Sequence, residues 1–289
     1  MLFRSKLENQ PRRIYTGSIG FISHKNESVF NVAIRTILID KKNGAGEMGI
    51  GSGIVYDSDP KKEYNECRLK AEFLTKRPID FKLIETILWE AKKGYFLLEI
   101  HLERLLESAA YFGFLYDKKE LTSALKKRTE YFNKSKNYKV RLLLDRDGAV
   151  SITSEPLRNE ENERLVTFSK FNTSSSDIFL FHKTTKRDLY ERKYKDCKKK
   201  GFYDFIFQNE KGEVTEGTIS NIFVKKGNIY YTPPVNSGLL NGVYRRYILK
   251  NKIFPVQEKI LYRKDIENAT EIYLTNAVRK MVKVKLVER

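Results

Sequence analysis

The chain has 289 residues, 40% of them hydrophobic and 12% aromatic, which is ample for a buried core and excludes a chain disordered throughout. Its 55 Lys and Arg against 37 Asp and Glu give a formal charge of +18, but the lysines are spread along the whole length. No helix-turn-helix, zinc-finger or RNP-like aromatic motif accompanies them, so nucleic acid is not the expected partner and a small anionic substrate remains open.

No apolar run approaches the roughly 18 residues of a spanning helix, so no membrane partner is expected. Leu2 to Glu8 contains no apolar core and no small-residue cleavage site, and Cys67 and Cys197 make neither a metal spacing nor a disulfide framework. A reducing, cytoplasmic location is expected, with both cysteines structural.

In chain order, Tyr15–Ile22, Ser28–Ile39 and Gly51–Tyr56 read as short antiparallel strands separated by glycine turns. Asp59 can cap and Pro60 can open a helix over Lys61–Lys76, where Tyr64, Leu69 and Phe73 fall at helical spacing, and Lys76-Arg77-Pro78 ends it. Strands closed by one helix so near Met1 leave few residues to cover the strand faces, so this stretch reads as part of a domain. A second unit starts near Ile79 with a strand over Phe81–Trp89. Leu102, Leu105, Leu106, Ala109 and Phe112 then recur at the spacing of an amphipathic helix. Leu121–Tyr131 predicts another helix, and Lys139–Leu144 and Ala149–Thr153 a hairpin about Asp147-Gly148. From Leu165 onward many short strands alternate with turns, and helices are expected at Arg187–Lys200 and Tyr244–Lys250, a barrel-like β domain with attached helices. No internal repeat is present.

Three stretches carry residues suited to chemistry. Phe181–Tyr190 puts Lys183 between a β-run and a helix, where a pocket could hold it. Gly212–Val224 interrupts a strand with a polar knot around Glu216. Gly238–Arg246 is a glycine loop entering a helix, whose free N–H groups and positive dipole end suit an anion such as phosphate.

Together with Arg104 in His101–Ala109 and with Leu274-Thr275-Asn276-Ala277, these motifs stand in the order and spacing of the fold-type IV pyridoxal-phosphate enzymes, which the chain resembles from about Ile79 to its end. That family includes branched-chain and D-amino acid aminotransferases and 4-amino-4-deoxychorismate lyases. The resemblance implies an α+β fold like that of D-amino acid aminotransferase, with a small α/β domain and a larger barrel-like one. It implies pyridoxal 5'-phosphate as cofactor, with Lys183 holding it and serving as base and Glu216 facing the pyridine nitrogen. Arg104, the N–H groups of Val243 and Tyr244, and Asn276-Ala277 would then bind its phosphate. Some relatives carry a hydroxyl residue where Ala277 stands, which leaves only backbone there. His101 and His182 are expected to be structural. A homodimer is implied.

Arg13–Gly20, Asn31–Thr36 and Gly51–Pro60 with Glu63, Glu66 and Lys70 resemble the C-terminal end of a chorismate-utilising enzyme, aminodeoxychorismate synthase component I, which occurs fused to an aminodeoxychorismate lyase. The expected organisation is therefore 1–76 as the C-terminal remnant of a chorismate-binding domain, 79–160 as the small α+β domain of the lyase, and 161–289 as the larger barrel-like, cofactor-binding domain. In the chorismate enzymes Tyr15 and Arg35 would contact substrate and Glu66 would bind magnesium. Most of that half is absent from this sequence. No metal site is therefore expected, Glu66 serving only if a synthase half is supplied, and no synthase activity is expected from this chain alone. The expected function is elimination of pyruvate from 4-amino-4-deoxychorismate to give 4-aminobenzoate for folate, with a separate synthase or glutaminase subunit as a further partner. An aminotransferase on the same scaffold and a non-catalytic basic binding protein are the alternatives.

Overall fold

A computed structural model describes residues 4–8, 10–75, 79–158 and 163–287. The chain divides into two compact units, Met1–Ile79 and Asp80–Arg289.

The first unit begins with a one-turn helix α1 (Arg4–Leu7), followed by the hairpin β1 (Ser18–Ile22) and β2 (Ser28–Val32). A second hairpin joins β3 (Ile37–Ile39) to β4 (Gly46–Met48), and α2 spans Pro60–Thr75. Asp59 caps α2 as its pattern predicts, accepting a 2.8 Å bond from the Lys62 amide. The expected end of that helix at 76–78 lies outside the described residues. The expected strand over 28–39 is broken at Arg35, whose φ of 52° is left-handed. Gly51–Tyr56 is not a strand at all. Gly49 and Gly51 pass so close to the Tyr15 ring and hydroxyl that a Cβ on either would collide with it, and the Gly51 carbonyl accepts from Lys70 Nζ at 3.1 Å, so this backbone wraps a side chain instead of pairing in a sheet. Ala33 is the one buried apolar residue among the described residues of this unit. Phe21, Phe30, Tyr64, Leu69 and Phe73 are all more than half exposed. Glu66 is paired with Lys70 at 2.6 Å.

The second unit contains two sheets. The smaller holds β5 (Leu83–Glu90), β6 (Gly94–Tyr95), β7 (Tyr138–Leu144) and β8 (Val150–Pro156) in the order β6-β5-β7-β8, all antiparallel. Helices α3 (Leu98–Phe112) and α4 (Lys118–Thr129) accompany it, and Leu83, Ile87, Leu102, Leu105, Leu121, Leu125, Val140 and Leu142 form one core. The heptad-like leucines of α3 face that core as their spacing requires, and Gly113 ends the helix at φ 68°. Helix α4 starts three residues before the apolar pattern suggests because Asp117 caps it, accepting from the Lys119 amide at 2.7 Å.

The larger sheet takes β9 (Leu165–Phe168), β10 (Asp204–Gln208), β11 (Val214–Gly217), β12 (Asn221–Lys226), β13 (Ile229–Thr232), β14 (Val256–Glu258), β15 (Glu271–Asn276) and β16 (Lys280–Leu286). Their order is β11-β10-β9-β16-β15-β12-β13-β14, and a further pairing of β11 with β12 closes six of them into a barrel-like ring. Helices α5 (Asp188–Lys199), α6 (Val243–Asn251) and α7 (Arg263–Glu267) complete the unit. Both α5 and α6 differ from the expected ranges by one residue at each end. The expected boundary at 160/161 lies outside the described residues. Two ion pairs tie the sheets together, Arg246 of α6 forking Glu107 of α3 at 2.7 and 3.0 Å and Lys280 reaching Glu90 at 3.1 Å.

Candidate active site

Lys183 sits on an irregular segment that docks along the edge of β5. The Ile84 amide donates to the Lys183 carbonyl at 2.9 Å, and Lys82 and Thr185 exchange two more bonds at 2.8 and 2.9 Å. This short pairing carries the lysine of the large sheet onto the small one, so its side chain stands where the two meet. The residue keeps some solvent access, yet its amine is surrounded by protein. Burial, reinforced by the charges of Arg187 and Arg104, pushes that amine down to about 7.

Glu216 ends β11 and is 6% exposed. A polar knot holds the turn behind it. The buried Asp204 carboxylate accepts from the Thr218 amide at 2.9 Å and from the Thr218 and Ser220 hydroxyls at 2.5 and 2.6 Å. Gly217 is required here, because a Cβ would overlap Asp204 Oδ2 and Ser220 Oγ. The Glu216 carboxylate accepts from the Leu240 amide and from Asn221 Nδ2, each at 3.3 Å. Burial nevertheless drives its carboxyl up to about 8, against the opposing pull of Arg187. Asn221 also donates to the Leu240 carbonyl at 2.8 Å, and a Cβ on Gly242 would collide with its side-chain oxygen. The glycine loop is therefore clamped beside Glu216, which brings the start of α6 to the same place. Gly242 leaves that helix without a side-chain cap, so the amides of Val243 and Tyr244 have no side-chain acceptor.

Arg104 lies on the inner face of α3, 5% exposed, with Nε and Nη2 donating to Glu85 at 2.9 and 2.7 Å. His101, one turn earlier and fully buried, meets the same carboxylate through Nδ1 at 2.6 Å and leaves Nε2 without a partner. Burial alone would raise the Glu85 carboxyl, but Arg104 and His101 outweigh it and hold it at about 2. Two of the three Arg104 guanidinium nitrogens are thus already engaged, which leaves Nη1 for an anion. Asn276 closes the β15–β16 turn, its side-chain oxygen accepting from the Val278 and Arg279 amides at 3.0 and 2.8 Å, while buried Ala277 offers backbone only. They follow Thr275, which pairs with Asn221. His182 shares a 2.9 Å bond with Ser108 and packs against Tyr111 and Phe112.

Glu85, Arg187 and Tyr190 carry no assignment in the sequence. Arg187 and Tyr190 stand in the lysine segment itself, so proximity in the chain was a signal for both. Tyr190 is buried, and its hydroxyl faces the Glu216 carboxyl, whose charge and hydrogen bonding, together with burial, raise the phenol. Glu85 shows in the sequence only as an acid inside an apolar strand. A surface groove along β15, β16 and α7 includes none of these residues.

A small antiparallel sheet with two helices, paired with the segment that carries Lys183 and set beside a barrel-like sheet that carries a buried carboxyl, is the fold of a fold-type IV enzyme. The chain belongs to the amino-transferase class IV family, which residues 82–287 match. Residues 3–76 match the chorismate binding enzyme family. A Schizosaccharomyces pombe protein named "Putative aminodeoxychorismate lyase" is 27% identical over 71% of this chain and 89% of its own length. The Bacillus subtilis aminodeoxychorismate synthase component 1 is 41% identical over 28% of this chain, which spans only 17% of that protein. Among solved structures, the branched-chain amino acid aminotransferase of Escherichia coli has the same fold, with a TM-score of 0.63 at 21% identity over 72% of this chain and 77% of that one.

Proposed function

We propose that residues 80–287 are a pyridoxal-phosphate-dependent aminodeoxychorismate lyase that releases pyruvate from 4-amino-4-deoxychorismate and leaves 4-aminobenzoate. The observation that carries this reading is the near-neutral amine of Lys183 in one electrostatic neighbourhood with the buried carboxyl of Glu216. The residues fit the cofactor on their own chemistry. A lysine near pH 7 can condense with an aldehyde, a buried carboxyl can pair with a ring N–H, and the uncapped start of α6 suits a phosphate. Lys183, Glu216, Val243, Tyr244, the free nitrogen of Arg104 and the backbone of Asn276 and Ala277 would hold the cofactor.

Bound pyridoxal phosphate supplies an electron sink that acidifies the carbon bearing the substrate amine. Lys183 Nζ, low enough to be neutral at physiological pH, takes the proton from that ring carbon. The ring C–O bond then breaks with its electron pair leaving on oxygen, the departing enolate accepts at carbon the one proton that Lys183 took and becomes pyruvate, and the remaining ring is aromatic. Glu216, protonated near neutral pH when the site is empty, would pass that proton to the ring nitrogen and hold it there through a charge-assisted hydrogen bond, with Leu240 and Asn221 fixing Glu216 for that task. The chorismate-type match at residues 3–76 and the yeast relative favour the lyase.

A second reading is a fold-type IV aminotransferase, favoured by 28% identity over 72% of this chain to a Thermotoga maritima protein named "Probable branched-chain-amino-acid aminotransferase". The deciding experiment measures pyruvate released from aminodeoxychorismate by wild type and Lys183→Ala, alongside transfer from branched-chain amino acids to 2-oxoglutarate. Pyruvate release lost in Lys183→Ala supports the lyase. Transfer without pyruvate release replaces it with the aminotransferase, and a protein that purifies colourless and binds no pyridoxal phosphate overturns both. We also propose a homodimer, checked by light scattering, and a separate synthase chain as the partner of residues 10–75, whose apolar faces are exposed.

A further inference from the structure

One cation beside Lys183 makes no ion pair with any described residue, the acid it feels being the buried Glu216 carboxyl. Arg187 follows Lys183 by four residues, at the start of α5, and its Nη2 donates to the carbonyl of Thr218, two residues past Glu216. The guanidinium therefore ties the segment that carries the lysine to the turn that carries the acid. It lies 5.4 Å over the ring of Tyr190 and is half-buried. Arg104 is forked by Glu85, Arg245 is paired with Glu258 and Arg246 with Glu107. Among the described residues Arg187 forms no ion pair, and its Nε and second Nη donate to none of them.

A guanidinium partly withdrawn from water, with one bond to a carbonyl and one aromatic face beneath it, has lost hydration that these contacts restore only in part. A bound oxyanion would supply it, and the planar fork suits the two oxygens of a carboxylate better than a point charge would. We propose that Arg187 is the anion receptor of this site, taking an anionic oxygen of the bound molecule through Nε and its free Nη while Nη2 stays on Thr218. The inference rests on Lys183 as the cofactor-bearing residue and deepens it, because the receptor makes the site selective for amines that also carry a carboxylate. The oxyanion has two sources, the substrate carboxylate and the cofactor's own anionic oxygens. The substrate is the favoured one, since the start of α6 already serves a phosphate.

The test compares wild type with Arg187→Gln, which retains a donor for Thr218 but no charge, and with Arg187→Lys, which retains the charge but no fork. Calorimetry gives the affinities for 4-aminobenzoate and for aniline, which has the same ring and amine without the carboxylate. Absorbance titration gives the affinity for pyridoxal phosphate and the pH midpoint of the bound chromophore. The expected result is a preference for 4-aminobenzoate in wild type that falls about 10- to 100-fold in Arg187→Gln and partly returns in Arg187→Lys, with aniline unaffected. A fall in cofactor affinity with a displaced chromophore midpoint, at unchanged carboxylate preference, keeps the receptor and assigns its anion to the cofactor. Carboxylate preference, cofactor affinity and midpoint all within about twofold of wild type in both variants overturn the proposal. Should Arg187→Gln fail to fold, Arg187→Lys reads the same quantities. Wild type that takes up no cofactor but still discriminates through Arg187 sinks the functional reading alone.

Discussion

The Ile84 amide bonds the Lys183 carbonyl at 2.9 Å, which places the lysine one residue across from Glu85, the carboxylate shared by His101 and Arg104. These groups crowd one low-dielectric space, and the directions in which Lys183, Glu85 and His101 are shifted follow from that crowding.

Capture of pyridoxal phosphate by the cofactor-free protein needs a neutral amine. With Lys183 lowered by burial to about 7 from the 10.5 of a solvated lysine, the rate of capture rises with pH through a midpoint near 7. Rapid-mixing absorbance over mildly acid to alkaline pH measures it. A midpoint at the ordinary lysine value would show that the amine is solvated.

Glu216 has the opposite sign. Its folded-state carboxyl at about 8 lies above the ordinary 4.5, so the folded chain binds more protons between those values, and stability is lost as pH rises through 8. Glu216→Gln keeps an acceptor for the Leu240 amide but removes the charge. The cofactor-free variant is therefore expected to melt several degrees above wild type at alkaline pH and alike below the unfolded value, while its lyase rate falls. Melting curves at both pH values check the crossing.

Glu85 is 1% exposed and held at about 2, so its contribution to stability is present at neutral pH and disappears only as pH falls through the folded value. Glu85→Gln leaves the Arg104 guanidinium buried without its counter-charge and is expected to cost about 3–5 kcal/mol in urea unfolding at neutral pH. A cost below about 1 kcal/mol would mean that Arg104 turns out to water.

Gly217→Ala forces a methyl into Asp204 and Ser220, costing roughly 1–3 kcal/mol and moving Glu216, so cofactor affinity falls as well. Gly212→Ala is the control. Its φ of +76° makes alanine strained, but the space is open and remote from the acid, so stability falls by about 1 kcal/mol with cofactor affinity unchanged.

The local patterns carried much of the fold. Leucine spacing in α3, Asp59 before α2 and the Asp147-Gly148 turn each act within a few residues, and the helices appear within a residue or a few of where those signals put them. The reading of Gly51–Tyr56 as a strand failed because a glycine run beside β-branched residues looks the same whether it pairs in a sheet or wraps a tyrosine 36 positions earlier. Glu85 stayed unread for a similar reason, its partners lying 16 and 19 residues away on a helix.

Lys183 and Glu216 stood out in the sequence only through the resemblance of their motifs, in order and spacing, to those of fold-type IV enzymes. Which charges face each other was settled only when β5, the lysine segment and the Asp204 knot came together. Coulomb energy depends on separation and on how much water lies between, and neither quantity is written in the linear order of residues. The amine near 7, the carboxyl near 8 and the position of Arg187 between them are consequences of that folding.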